Sequence, residues 1–309
     1  MGEGDGLGFG VGLGLARGLG LFRTCAAVCC EQAISRQTES ESARNLTFPD
    51  TTTVKLLGGP WELEVWPDRG GRIVSLRLGG DELLDQGIGV DVPEEAGFVA
   101  AGVRGWDEMV PTIDRAPYPG PGQWEGIDLP DHGEAWRLPW AVLEETSAAA
   151  KMQCFGRVLP WRLERSITLS PRTLRMEYVY ENVGRLPLYA YWCAHPLFRY
   201  EPGVDLEVAG GFVMPPPGGS SKVFLPTGAI DTVRLAWPSG SAIEMAWDSS
   251  LTPYFAIWAC NGALGGYQHI APEPATGGSD RPDPAAPPPL LEPGHELRWW
   301  LEIRDRRPA

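Results

Sequence analysis

From about Thr53 onward, apolar and polar residues alternate in short runs, the period expected of half-buried strands. Trp61-Glu-Leu-Glu-Val65 alternates cleanly, and Val74, Leu76 and Leu78 share a face before a Gly79-Gly80 turn that leads into Glu82-Leu-Leu-Asp85. The clearest hairpin runs from Trp161 to Tyr180. There Trp161, Leu163, Ile167 and Leu169 lie on one face, Ser170-Pro-Arg172 turns, and Leu174, Met176, Tyr178 and Tyr180 return. Ile243, Met245 and Trp247 alternate with Glu244, Ala246 and Asp248. Tyr254 to Ala259 reads as a buried strand, and Leu297, Trp299, Leu301 and Ile303 form the last one. Amphipathic helices of ten residues or more are almost absent from the pattern. Strands without intervening helices predict antiparallel pairing and an all-β fold, a large sandwich of packed sheets. Two irregular inserts interrupt it, from about Gly87 to Pro139 and from Gly277 to Pro293, and such long stretches are usually functional or disordered.

The first 52 residues follow another pattern. Glycine occupies every even position from Gly2 to Gly14, then Gly18 and Gly20, and a polar run Arg36-Gln-Thr-Glu-Ser-Glu-Ser42 follows. Such glycine density neither holds a helix nor buries surface, so residues 1–52 are predicted to be a disordered tail and 53–306 a single domain. Val11 to Cys30 is fairly apolar, as a secretory signal would be. However, Glu3 and Asp5 stand where a basic segment belongs, and Arg17 and Arg23 interrupt the apolar run. A cytoplasmic chain is the expectation, and the sequon Asn45-Leu-Thr47 then carries no sugar.

Charge and cysteines narrow the classes. A net charge of −14 argues against nucleic-acid or anionic-membrane partners and disfavours polyanionic substrates. None of the six cysteines forms a Cys-x-x-Cys pair or a zinc spacing with histidine; Cys154, Cys193 and Cys260 sit in apolar strands as buried thiols, and no metal site is expected. Thirteen tryptophans suit both a β core and stacking against sugar rings, and core filling is the commoner use.

Candidate chemistry lies in three punctuated contexts: Leu129-Pro-Asp-His-Gly-Glu134, Cys193-Ala-His-Pro-Leu-Phe198 and Ile270-Ala-Pro-Glu-Pro274. Their candidates are His132 and His195, two of the chain's four histidines, and Glu273; an imidazole and a carboxylate meeting in a cleft transfer protons near neutral pH. By residue type alone, each has an ordinary reading. His195 could be a strand histidine bonded to a carbonyl, Glu273 an exposed loop glutamate, and His132 a turn-stabilising imidazole. His269 reads as structural, His295 as a surface residue, and Arg72 as part of a structural turn.

Taken in order, Gly70-Gly-Arg-Ile-Val-Ser-Leu76, Gly105-Trp-Asp-Glu-Met-Val-Pro-Thr112, Leu129-Pro-Asp-His-Gly-Glu134 with Trp136 and Pro139-Trp140, His195-Pro-Leu-Phe198 and Glu273-Pro274 resemble the aldose 1-epimerases. More narrowly, they look like the divergent bacterial branch of the galactose mutarotase-like superfamily. The resemblance covers roughly residues 54 to 305. It implies an antiparallel β-supersandwich with a sugar groove across one sheet, no metal or organic cofactor, and a small-molecule sugar as partner to a monomer or homodimer. Residue by residue, it implies His195 as the general acid that protonates the ring oxygen, Glu273 as the general base on the anomeric hydroxyl, and His132 as a second histidine near the ring oxygen. Trp106, Asp107 and Glu108 are expected to line the groove. The chemistry requires an ionised Glu273 beside a protonated histidine, a state that the carboxylate favours by raising the imidazole pKa. Pro272 before Glu273 and Ala275 after Pro274 depart from the family pattern, and the family's usual aspartate and arginine for sugar hydroxyls have no clear match. Two other readings stay open: an epimerase of phosphorylated hexoses, for which Arg104, Arg115 and Arg137 are available, and a non-catalytic carbohydrate-binding sandwich.

Overall fold

A computed structural model describes residues 52–87, 97–99, 102–228 and 230–308. The predicted tail over 1–52 lies outside them save Thr52, as do Cys25, Cys29, Cys30 and the sequon. The described residues form strands, turns and irregular segments with no helix, so none is long and apolar enough to cross a membrane.

Two antiparallel sheets pack face to face. One has ten strands, ordered along its main path Val54–Gly58, Trp61–Trp66, Arg72–Leu78, Trp106–Met109, Cys193–Pro196, Gln268–Ala275, Tyr254–Asn261 and Gly219–Leu225. The other has eight, ordered Asp205–Glu207, Thr232–Ala236, Ala242–Trp247, Glu296–Asp305, Thr173–Asn182, Trp161–Leu169, Ala149–Phe155 and Ala141–Glu145. The predicted hairpin is present, with Trp161 opposite Asn182 and Leu169 opposite Leu174. Its alternation is the cause: every second residue of Trp161–Leu169 is buried between the sheets.

The inter-sheet core is rich in indoles. Trp61, Trp106, Trp161 and Trp192 are each completely buried, and Tyr178 stacks on Trp299 with ring centres 5.2 Å apart. The ten-stranded sheet is also covered on its other face by a second apolar cluster that includes Phe98, Met109, Ile113, Trp136, Tyr191 and Cys193. Its middle strands are therefore buried on both sides. That explains the main correction to the sequence reading. The expected irregular stretch from Gly87 to Pro139 contributes Trp106–Met109, a strand in the middle of the sheet whose four residues are all buried. A strand covered on both faces loses the in-out alternation that advertises half-buried strands, and two adjacent acids hide it further.

Candidate functional site

Pairing register sorts the candidates onto two faces. His195 lies directly opposite Asp107, and Cys193 opposite Met109. Opposite residues share a face, so these four project from the outer side of the ten-stranded sheet, toward the second apolar cluster. Cys193 is also opposite Ala275, and alternation brings Glu273, two residues back, to the same side. Across the next two strands, Glu273 faces Ala256 and Ala256 faces Phe224, which puts Lys222 on that side too.

Trp106 and Glu108 point the other way. Trp106 packs in the inter-sheet core against Phe198. Glu108 accepts hydrogen bonds from Arg165 (2.9 Å), Tyr178 (3.0 Å) and Trp192 (2.7 Å), the first two on the opposing sheet. Both are completely buried there. The groove-lining expectation for these two thus meets strand alternation: three consecutive strand residues do not line one face. Asp107 remains on the site face, where Arg72 Nε donates to it at 2.9 Å while its Oδ2 has no hydrogen-bond partner among the described residues. Burial raises the Asp107 carboxyl, against the pull of Arg72.

His195 Nε2 stands 3.7 Å from Glu273 Oε1, with His195 5 % and Glu273 1 % exposed. His132 arrives from the turn after Leu129. It adopts φ 57°, followed by Gly133 at φ 68°, and its amide donates to the Ile113 carbonyl at 2.5 Å. Only glycine suits the second left-handed position here, because a Cβ on Gly133 would run into the Val110 carbonyl. The His132 ring stacks on Phe98 at 3.9 Å and lies edge-on to His195 at 5.8 Å. All three residues given catalytic roles by the resemblance therefore converge, from a loop and two neighbouring strands.

Two groups absent from the sequence reading complete the cluster. Lys222 Nζ lies 2.6 Å from Glu273 Oε2 and 2.5 Å from Asp280 Oδ1. Asp280 belongs to the Pro-rich segment after Gln268–Ala275, and its carbonyl accepts the amides of Ile113 and Asp114. One signal was available for Lys222: the chain has only three lysines, at 55, 151 and 222, among 26 basic residues.

Charge states differ from the sequence expectation. Burial pushes His195 well below the ordinary imidazole value, and His132 and Lys222 add to the push. Burial raises Glu273 to about 7 even though Lys222 pulls it down. The counter-charge of Glu273 is therefore the Lys222 ammonium, not an imidazolium at His195. Burial also raises the Cys193 thiol, consistent with an inert, packed cysteine.

The His195–Glu273 pair is closed to solvent. Phe98 covers the two histidines, Tyr191 and Tyr254 flank Glu273, and the open space beside that carboxylate is about 10 Å³, room for a single water. A roomier groove of about 410 Å³ lies along Asp81, Glu82, Asp85, Arg199 and Tyr200. Its carboxylates are already engaged: Asp81 by Ser241, Glu82 by Ser75 and two amides, Asp85 by the ring of His269. His269 also accepts from Trp258 Nε1, so both of its nitrogens are used structurally, as the sequence suggested. Among the described residues no group of His, Cys, Asp and Glu could hold a metal ion.

No protein-family model matches the chain, and no curated protein sequence matches it. Solved structures do. The Slr1438 protein from Synechocystis sp. PCC 6803 superposes with a TM-score of 0.69 at 17 % identity, over 86 % of this chain and 100 % of that one. A galactose mutarotase-like protein from Lactobacillus casei gives 0.65 at 15 % identity, over 82 % and 100 %. An aldose epimerase homologue from C. elegans gives 0.62 at 12 % identity, over 84 % and 100 %. At such identities the likeness is one of fold, and the all-β galactose mutarotase-like sandwich expected from the motifs is the fold of this chain.

Proposed function

We propose that this chain is an aldose 1-epimerase that interconverts the α and β anomers of a free aldose. The observation that carries the reading is the His195–Glu273 pair: two buried proton-transfer groups 3.7 Å apart, with His195 Nδ1 and Glu273 Oε1 lacking a hydrogen-bond partner among the described residues. Buried polar atoms in folded proteins are nearly always satisfied, and exceptions concentrate where chemistry occurs. The two oxygens of a cyclic hemiacetal hang on one carbon, so the acid and the base that serve them must stand close together, as these do. Glu273 takes the proton from the anomeric hydroxyl while His195 delivers one to the ring oxygen. The C1–O5 bond breaks as C1=O1 forms. Rotation about C1–C2 and reversal of the same transfers close the ring on the other face, returning both protons.

The working form carries one proton on the pair, placed on His195 with Glu273 ionised. Because burial favours a neutral His195 and a protonated Glu273, that form is a minor tautomer of the singly protonated pair. The rate then falls as pH rises above about 7, where Glu273 gives up the pair's last proton. A phosphorylated hexose fits less well. Arg72 and Lys222, which face the pair, are already held by Asp107, Glu273 and Asp280; Arg115 pairs with Asp128, and Arg104 and Arg137 lie over the Trp66 and Trp136 rings at 4.7 and 4.6 Å. A hexose enters only if the cover over the pair yields, through Phe98 or the Lys222–Asp280 bridge.

The test is NMR exchange between anomers of glucose, galactose and related free aldoses. Wild type is expected to accelerate exchange and Glu273→Gln to leave it at the spontaneous rate. A wild-type protein that accelerates no free aldose overturns the reading.

A further inference from the structure

Accepting a proton is a task for one carboxylate oxygen; the other must be held so that the first points at the substrate. At Glu273 this division is visible. Oε1 faces His195, whereas Oε2 meets the Lys222 ammonium, which is shared at nearly equal distance with Asp280. Lys222 reaches the site from Gly219–Leu225, the strand at the end of the sheet's main path. Its ammonium lies 5.5 Å from the centre of the Phe224 ring, and only 14 % of its side chain is exposed. Asp280 comes from a different segment, tied down by Ile113, Asp114 and Thr112 through its own carbonyl. The clamp is thus assembled from three parts of the chain.

We propose that Lys222 is a positioning residue for the acid–base pair: shared between Glu273 and Asp280, it fixes Oε2 and leaves Oε1 for the substrate. This rests on the reading of Glu273 as the base. The groups facing Glu273 are Cys193 and His195 on one neighbouring strand, Lys222, Asp280, His132 from the turn, and Tyr191, with Asp114 near Asp280 and Lys222. Only Lys222 among them is a strong cation in contact, and among the described residues Asp280 is the only other carboxylate that touches it. Asp280 therefore works against Lys222: it draws off part of the ammonium's effect and adds a negative charge nearby. Burial raises Glu273, Lys222 lowers it, and Asp280 raises it again.

That opposition gives a signature which mere structural support lacks. The full chain is labelled with carbon-13 at glutamate side-chain carboxyls, and the Glu273 line is identified by its loss in Glu273→Gln. In wild type its titration midpoint is expected at about 7. Lys222→Met should move it up by about 1–3 pH units, Asp280→Asn should move it down, and Lys222→Arg should leave it near wild type. In anomer exchange, the high-pH fall of the rate should follow each shift, and the maximal rate of Lys222→Met should drop by less than tenfold per pH unit, because losing the ammonium raises Glu273 and also releases His195. Midpoints that stay put in both variants, or move the same way, overturn the proposal. A Lys222→Met chain that does not fold leaves Asp280→Asn and Lys222→Arg to decide it. Opposite shifts in a protein that accelerates no aldose would uphold the clamp and overturn the catalytic reading; acceleration without shifts would do the reverse.

Discussion

Glu108 and Glu273 are both buried glutamates beside a cation on the same sheet, yet their surroundings differ in kind. Glu108 faces the inter-sheet core and accepts from Arg165, Tyr178 and Trp192. Arg165 in turn donates to the Gly71 carbonyl and lies over the Trp140 ring at 5.0 Å. Glu273, on the other face, has a cation 2.6 Å from Oε2, while Oε1 accepts no hydrogen bond from the described residues. Burial raises both carboxyls. The difference is in what compensates for it: donors engage both oxygens of Glu108, while only Oε2 of Glu273 meets a cation and Oε1 is left open toward His195. A satisfied buried network makes a fold specific; an unsatisfied one costs stability and is retained where it does chemistry.

The largest expected effect separates the two glutamates directly. Glu273→Gln should reduce anomer exchange by about 10²–10⁴, with a melting temperature near wild type because Lys222 keeps Asp280. Removing the other carboxylate's partner should do the opposite. Arg165→Met leaves Glu108 buried without a counter-charge, a loss of about 3–5 kcal/mol in chemical denaturation, while the protein that stays folded keeps its turnover. Adding Glu108→Leu to Arg165→Met should recover most of that loss, since apolar replacement of a whole buried pair is often neutral. If the single Arg165 variant instead loses turnover with its stability unchanged, the inner pair is part of the chemistry and the contrast fails.

The pH profile sharpens the same contrast with a smaller effect. Burial holds Glu273 at about 7, so exchange measured across pH 5 to 9 should decline above that value, approaching tenfold for each further pH unit. Glu108→Gln, where it folds, should not shift this decline. A rate that climbs steadily to pH 9 would mean that His195 needs no proton and that the pair does not work as an acid and a base together.

Much of this was legible in the chain, for physical reasons that also mark where legibility ended. Half-buried strands advertise themselves by alternation, so the Trp161–Tyr180 hairpin and the last strand could be read directly. His132, His195 and Glu273 could be found because proline and glycine punctuate their contexts and because their order resembles a known family. Trp106–Met109 falls within a stretch that reads as irregular because both of its faces are covered and its pattern is therefore mute. That single misreading put Trp106 and Glu108 in the groove beside Asp107, although alternation turns them to the core. Lys222 and Asp280 meet across 58 residues of sequence, and nothing in either local context announces the partner. The charge state of His195 was missed for the same reason, since the cation that answers Glu273 comes from that distant strand.

His132 tests the boundary of the contrast, and there the smallest effect is expected. Its ring touches Phe98 and His195, but its Nδ1 meets the adjacent Asp131 at 3.1 Å, and its side chain is 21 % exposed. It stands at the rim, neither satisfied like Glu108 nor sealed like Glu273. Asparagine tolerates the left-handed backbone that His132 adopts. His132→Asn should therefore keep the amide bond to Ile113 and lose mainly the stacking on Phe98, about 0.5–1.5 kcal/mol. Exchange should slow by less than about tenfold, chiefly through a higher KM, as befits a group that orients substrate. A fall in kcat of about 10² or more, the size expected for a proton-transfer group, would move His132 into the acid–base machinery and make the site a triad.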